Sequence, residues 1–167
     1  ADFFDEEVFC HGHTFAYHAL AASAIPAAIS EHVKLFESGL PQKASEYIKQ
    51  KLYELADKHI CIGDVRGVGH FWALEIVKNR KTKEPFDTKE DKFSGKALMT
   101  GKIAGDAMQN GLYISSWYDT LVVTPPLIIT EQEIDEAIHI LDKSLEIGDK
   151  EAVETDVAAA RSCEYGS

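Results

Sequence analysis

A chain of 167 residues carries 17 lysines and arginines against 28 aspartates and glutamates, for a formal net charge of −11. The length suits one domain with a core of its own, and the acidic balance excludes a nucleic-acid partner, because phosphate backbones are gripped by clustered cations. Three widely spaced cysteines without a C-x-x-C pair point to neither a disulfide framework nor a zinc knuckle, and no apolar run reaches the ~18 residues that span a bilayer, so a cytoplasmic protein with no membrane partner is expected.

The first nine residues, "ADFFDEEVF", are acidic where a secretory leader would be basic. They lead into "CHGHTFAYHAL" (Cys10–Leu20), where three histidines, a cysteine and a threonine precede an alanine-rich stretch, Ala16 to Ala28. So little charge predicts a helix buried on most of its surface, interrupted at Pro26 and ending before "SGLP". Pro41 suits a first helical position, and Ala44, Tyr47, Ile48, Leu52, Leu55 and Ala56 recur at helical spacing, so an amphipathic helix follows.

"CIGDVRGVG" then reads as strand, turn and strand around Gly63, Gly67 and Gly69, and "HFWALEIVKNR" as a largely buried strand. The charged run Lys78 to Phe93 is expected to be a solvated loop. Ser94 can cap a helix running to about Asn110, with Gly111 as its left-handed stop. Two short strands are expected at Leu112–Ser115 and Thr120–Val123, around a turn at Tyr118 and Asp119 whose aromatic tip suits a contact surface. Thr130 and Glu133 form a T-x-x-E capping box for a helix with Ile134, Ala137, Ile138, Leu141 and Leu145 on its apolar face. From Gly148 the pattern fades. Four helices and about four strands without a regular βαβ rhythm predict an α+β fold, a small mixed or antiparallel sheet covered by helices.

The residues of "CHGHTFAYHAL" allow several chemistries. His11, His13 and His18 are potential zinc ligands, but their spacing matches no HExxH or C-x-x-C arrangement. Cys10 beside His11 invites a thiolate nucleophile, yet neighbours in sequence do not face each other and nothing orients the base; a structural thiol is the simpler account. Gly12, His13 and Thr14 precede a helix expected to start near Tyr17. A hydroxyl beside unpaired backbone N–H groups suits a phosphate, although every helix has such an end.

Three segments together resemble the C-terminal part of class III aminotransferases, fold type I enzymes that use pyridoxal 5′-phosphate. They are "HGHTFAYHALAASA", "IGDVRGVGHFWALEIV" (Ile62–Val77) and "GLYISSWYDTLVVTPPLIITEQEIDEAIHILDKSL" (Gly111–Leu145), in the family's order and spacing over nearly all of residues 4 to 147. The nearest look is to ω-amino acid and taurine pyruvate transaminases.

The resemblance implies a loop over residues 1–15 that enters a partner active site in a homodimer, a connecting helix over 16–39, a small domain over 40–147 and a tail over 148–167. It implies that Thr14, with His13 and Gly12 beside it, meets the cofactor phosphate of the other subunit. It also implies amine and keto-acid substrates. In the family the Schiff-base lysine and the aspartate that pairs with the pyridinium nitrogen lie upstream of the G-H-T motif. Eleven residues precede Gly12 here and none is a lysine. Many relatives hold the substrate carboxylate with an arginine near the edge of this domain, but none lies between Asn110 and Pro126. Arg66 matches the family's "RG" element and reads as structural. The expectation is therefore a C-terminal segment that binds no pyridoxal phosphate and catalyses nothing alone; the alternative is a binding or oligomerisation module built on the same fold.

Overall fold

The computed structural model describes Val8, residues 12–14 and residues 16–156. Cys10, His11, Arg161 and Cys163 lie outside the described residues, as do most of the expected entry loop and the end of the expected tail. Contacts divide the chain after Ser38 into two units.

The first unit holds α1 (Ala19–Ser23) and α2 (Ile25–Glu37). The interruption falls at Ala24, one residue before the second helix, because Pro26 is tolerated in a first turn, where its missing N–H has no helical partner. The expected burial is not found: neither helix has a buried residue, and Ile25, Ile29, Val33 and Phe36 lie exposed in a stripe. Composition records which face a helix can bury, not what covers it.

The second unit is an α+β domain. α3 (Leu40–Lys58) buries Ala44, Ile48, Leu52, Leu55 and Ala56, the helical stripe read from the sequence. Each large aliphatic side chain so buried contributes about 1.5 to 3 kcal/mol. β1 (Ile62–Val68) and β2 (Phe71–Asn79) form an antiparallel hairpin closed by Gly69 and His70, with Gly69 at φ +61°, as a two-residue hairpin loop requires. After β3 (Glu84–Pro85) and a 3₁₀ turn (Asp91–Phe93), α4 (Met99–Gln109) leads to β4 (Ser115–Trp117) and β5 (Thr120–Val123), and α5 (Glu131–Asp149) ends the regular structure. The strands are ordered β1-β2-β5-β4, all antiparallel, with β3 paired to the end of β2.

Register sorts the side chains onto two faces. Val65, Trp72, Leu74 and Leu121 are buried in the core with the helices, together with Ile103, Ile134, Leu141 and Leu145. The opposite face carries Asp64, Arg66, Val68, Phe71, Ala73, Glu75, Val122 and Trp117.

Four local expectations need correction. Gly63 and Gly67 do not break the first strand. A Cβ on Gly67 would lie 2.3 Å from the Phe71 carbonyl oxygen and 2.7 Å from the Trp72 ring, so glycine there serves close packing rather than a turn. Ser94 does not open α4; it ends the 3₁₀ turn, and the helix starts at Met99, whose N–H donates to the Asp87 carboxylate at 2.8 Å. The strand expected at 112–115 lies at Ser115–Trp117, the register that puts Trp117 opposite Thr120. The chain also stays with the domain past Gly148: Val153 N–H donates to the Lys78 carbonyl at 2.8 Å, and Arg80 N–H donates back to Val153 at 3.0 Å.

Candidate functional site

The two ends of the candidate chemistry lie in separate units, and each is described by itself. In the first, Gly12, His13 and Thr14 are exposed. A turn joins them to the helix, with Ala16 N–H donating to the His13 carbonyl at 2.9 Å. Tyr17 then takes a left-handed conformation at φ 62°, which places His18 rather than Tyr17 at the helix entry. His18 Nδ1 accepts from Ala21 N–H at 3.1 Å. The expectation that Thr14 meets the open end of this helix is therefore corrected: the cap is a histidine, and Thr14 sits upstream in the turn with its side chain exposed. Among the described residues no group of three His, Cys, Asp or Glu side chains is arranged to hold a metal.

In the second unit the outward sheet face carries one cation held between two carboxylates. Arg66 Nη1 donates to Asp64 Oδ2 at 2.9 Å and to Glu75 Oε2 at 2.6 Å, and the hydrogen bond to Asp64, then that to Glu75, pushes the guanidinium further up its range. Arg66 thereby ties β1 to β2 across the ladder.

The β4–β5 hairpin tip is built more firmly than its sequence suggests. Tyr118 stands at φ 56°, rare for a bulky residue, and such strain persists only where surroundings enforce it. Its hydroxyl donates to the Asp87 carbonyl at 2.7 Å, while its own carbonyl accepts from Thr100 Oγ1 at 2.6 Å. Burial, then the negative field of Asp119 and Asp87, pushes the phenol up. Lys92 Nζ rests 5.2 Å from the Trp117 ring centre and 5.9 Å from that of Tyr118. Sequence reading singled out the two aromatic residues but missed Asp87 and Lys92, whose loop composition carries no signal of such anchoring.

Against this geometry the comparisons with known proteins are direct. The aminotransferase class-III family model matches residues 3–145. The chain belongs to the class-III aminotransferases. Putrescine–pyruvate aminotransferase of Pseudomonas aeruginosa is 34% identical over 140 residues, covering 83% of this chain and 28% of that protein. Taurine–pyruvate aminotransferase of Bilophila wadsworthia is 37% identical over 103 residues, covering 61% of this chain and 22% of that protein. Among solved structures, the taurine:2-oxoglutarate aminotransferase of Bifidobacterium kashiwanohense, in complex with pyridoxal phosphate and glutamate, matches with a TM-score of 0.73 at 28% identity. The match covers 91% of this chain and 33% of that one. This class-III chain spans about a third or less of the length of these relatives.

Family membership raises the question of whether the residues present suit pyridoxal phosphate. Among the described residues Thr14 stands exposed in a turn with Gly12 exposed beside it, and a threonine hydroxyl is a donor of the type a phosphate oxygen accepts from. The eleven residues before Gly12 offer no lysine for the cofactor's aldehyde end.

Proposed function

We propose that this chain is the C-terminal portion of a pyridoxal-phosphate aminotransferase that moves an amino group from an amine or ω-amino acid to a keto acid such as pyruvate. The observation that carries the reading is the continuous family match over residues 3–145, joined to a coverage of a third or less of each relative. The cofactor, when bound, supplies the electron sink for the exchange. This chain's part is to cover and shape the site and, through Gly12, His13 and Thr14, to hold the phosphate of a partner subunit in a homodimer. The small domain spans about residues 40 to 147, reached by the connecting segment over 16–39. The chain alone binds no pyridoxal phosphate and is inactive, because the amine and the pyridinium partner come from outside it.

The phosphate role is tested in the full-length enzyme by Thr14→Ala. Loss of one hydrogen bond to a charged group weakens cofactor retention by about 1.5 to 3 kcal/mol, read as cofactor released on dialysis. Unchanged retention would contradict it.

A further inference from the structure

At the β4 edge of its sheet the second unit keeps a hollow that its own side chains do not fill. β4 pairs with β5 only from Ser115 onward, and the chain on either side of that pairing is drawn apart. Leu112 N–H donates to the Ala107 carbonyl at 2.9 Å, which holds the approach to β4 at the end of α4. After β5, Pro125 and Pro126 have no N–H with which to extend the ladder, and the Pro126 carbonyl accepts from Ile129 N–H at 3.1 Å in the turn that leads to α5. α5 passes behind the gap with Ala137 lining it, and a methyl group is too short to close it.

The result is a cavity of about 420 Å³, within the size range of sites that take small organic ligands. Leu52, Ile114, Ile138 and Leu141 make its apolar wall, and Ser115 and Thr124 add hydroxyls. Pro126, Ile129 and Ala137 line both this cavity and a more open hollow of about 330 Å³ beside it, so the two are continuous. The open part carries Glu133 and Glu136, both exposed, and among the described residues that line the joined hollow these are the only charged ones. The backbone N–H of Thr130 holds the Glu133 carboxyl below its ordinary value, so it is ionised at neutral pH.

Apolar walls reward a hydrocarbon chain that leaves water, and two carboxylates of one sign at the rim decide what head group that chain can carry. A carboxylate head would be repelled, an alcohol would gain nothing from the charge, and an ammonium would be attracted. We propose that the joined hollow is a binding site for a primary amine with an unbranched hydrocarbon chain. The chain lies among Ile114, Ile138 and Leu141, and the ammonium stands at Glu133 and Glu136. None of Gly12, His13 and Thr14 takes part, so the site holds or fails separately from the transamination reading.

NMR titration of the isotope-labelled 167-residue chain with octylamine, octanol and octanoate in turn tests this directly. Octylamine is expected to give saturable shifts at Ile114, Ile138 and Leu141 and to bind about tenfold more tightly than octanoate, with octanol between them. Ala137→Leu fills the gap and is expected to abolish the octylamine shifts. Glu136→Gln is expected to narrow the preference for octylamine over octanol while leaving octanol binding unchanged. Octanoate that binds as tightly as octylamine, or octylamine shifts spread over the acidic surface without saturation, overturns the proposal. Both of those results are read from the wild-type chain, so they decide even where a variant does not fold.

Discussion

At the scale of single residues, the positions that matter most are those whose role depends on a neighbour distant in sequence. Gly67 reads as a turn former in "RGVG", because glycine before a second glycine marks a bend in most loops. In the sheet it is the place where the Trp72 indole lies against the strand, anchored by Trp72 Nε1–H donating to the Gly69 carbonyl at 2.8 Å and by the edge of Tyr53 at 6.3 Å. Gly67→Ala is therefore expected to lower the stability of the domain by about 2 to 3 kcal/mol, measured by chemical denaturation, because a methyl group there meets backbone on a paired strand. A change within about 0.5 kcal/mol would show that the hairpin can open to admit it. Asp87 carries the same lesson from the opposite side. It sits in a run of charges that reads as solvated, yet it is 8% exposed and caps a helix that starts twelve residues later. No local pattern announces a cap delivered across such a distance.

At the scale of elements, the legible parts were those whose signal is periodic or closed within one turn. The α3 stripe from Ala44 to Ala56 and the α5 positions Ile134, Leu141 and Leu145 are buried as their 3.6-residue spacing demands. The Thr130–Glu133 box forms with both reciprocal bonds, since all of its partners lie within four residues. The start of α4 and the position of β4 were not legible, because each is set by a tertiary partner, Asp87 in one case and the pairing of Trp117 with Thr120 in the other.

The ends and faces of these elements also carry the acid response. The Glu133 carboxyl is held below its ordinary value first by the backbone N–H of Thr130, that of Asp135 first by the Tyr47 hydroxyl and then Lys51, and that of Asp91 first by the N–H of Thr88. A carboxyl depressed by folding contributes stability that is present above its unfolded value, near ~4, and is lost as pH falls through the folded value. Denaturation midpoints are accordingly expected to drop between about pH 5 and pH 3. Midpoints that hold level down to about pH 3 would contradict the acid limb.

At the scale of the whole molecule, fold class and family were readable for different reasons. The α+β architecture followed from helices and short strands without a βαβ rhythm, a physical inference. The family came from three segments in a fixed order, and the match over residues 3–145 bears that out. The candidate site was readable only as a place in the chain. Thr14 was singled out by resemblance, and the structure puts it in an exposed turn before a helix capped by His18. The exposed stripe Ile25, Ile29, Val33 and Phe36 is an apolar face of the kind that marks an interaction surface.

The proposed function makes this chain the C-terminal portion of an aminotransferase whose cofactor-holding amine lies elsewhere in the enzyme. Incubation with pyridoxal phosphate, reduction with borohydride and mapping of the labelled lysines by mass spectrometry address it most directly. Sub-stoichiometric labelling scattered over exposed lysines, without transaminase turnover, is the expected result. A stoichiometric adduct on one lysine, accompanied by turnover of an amine with pyruvate, would contradict it.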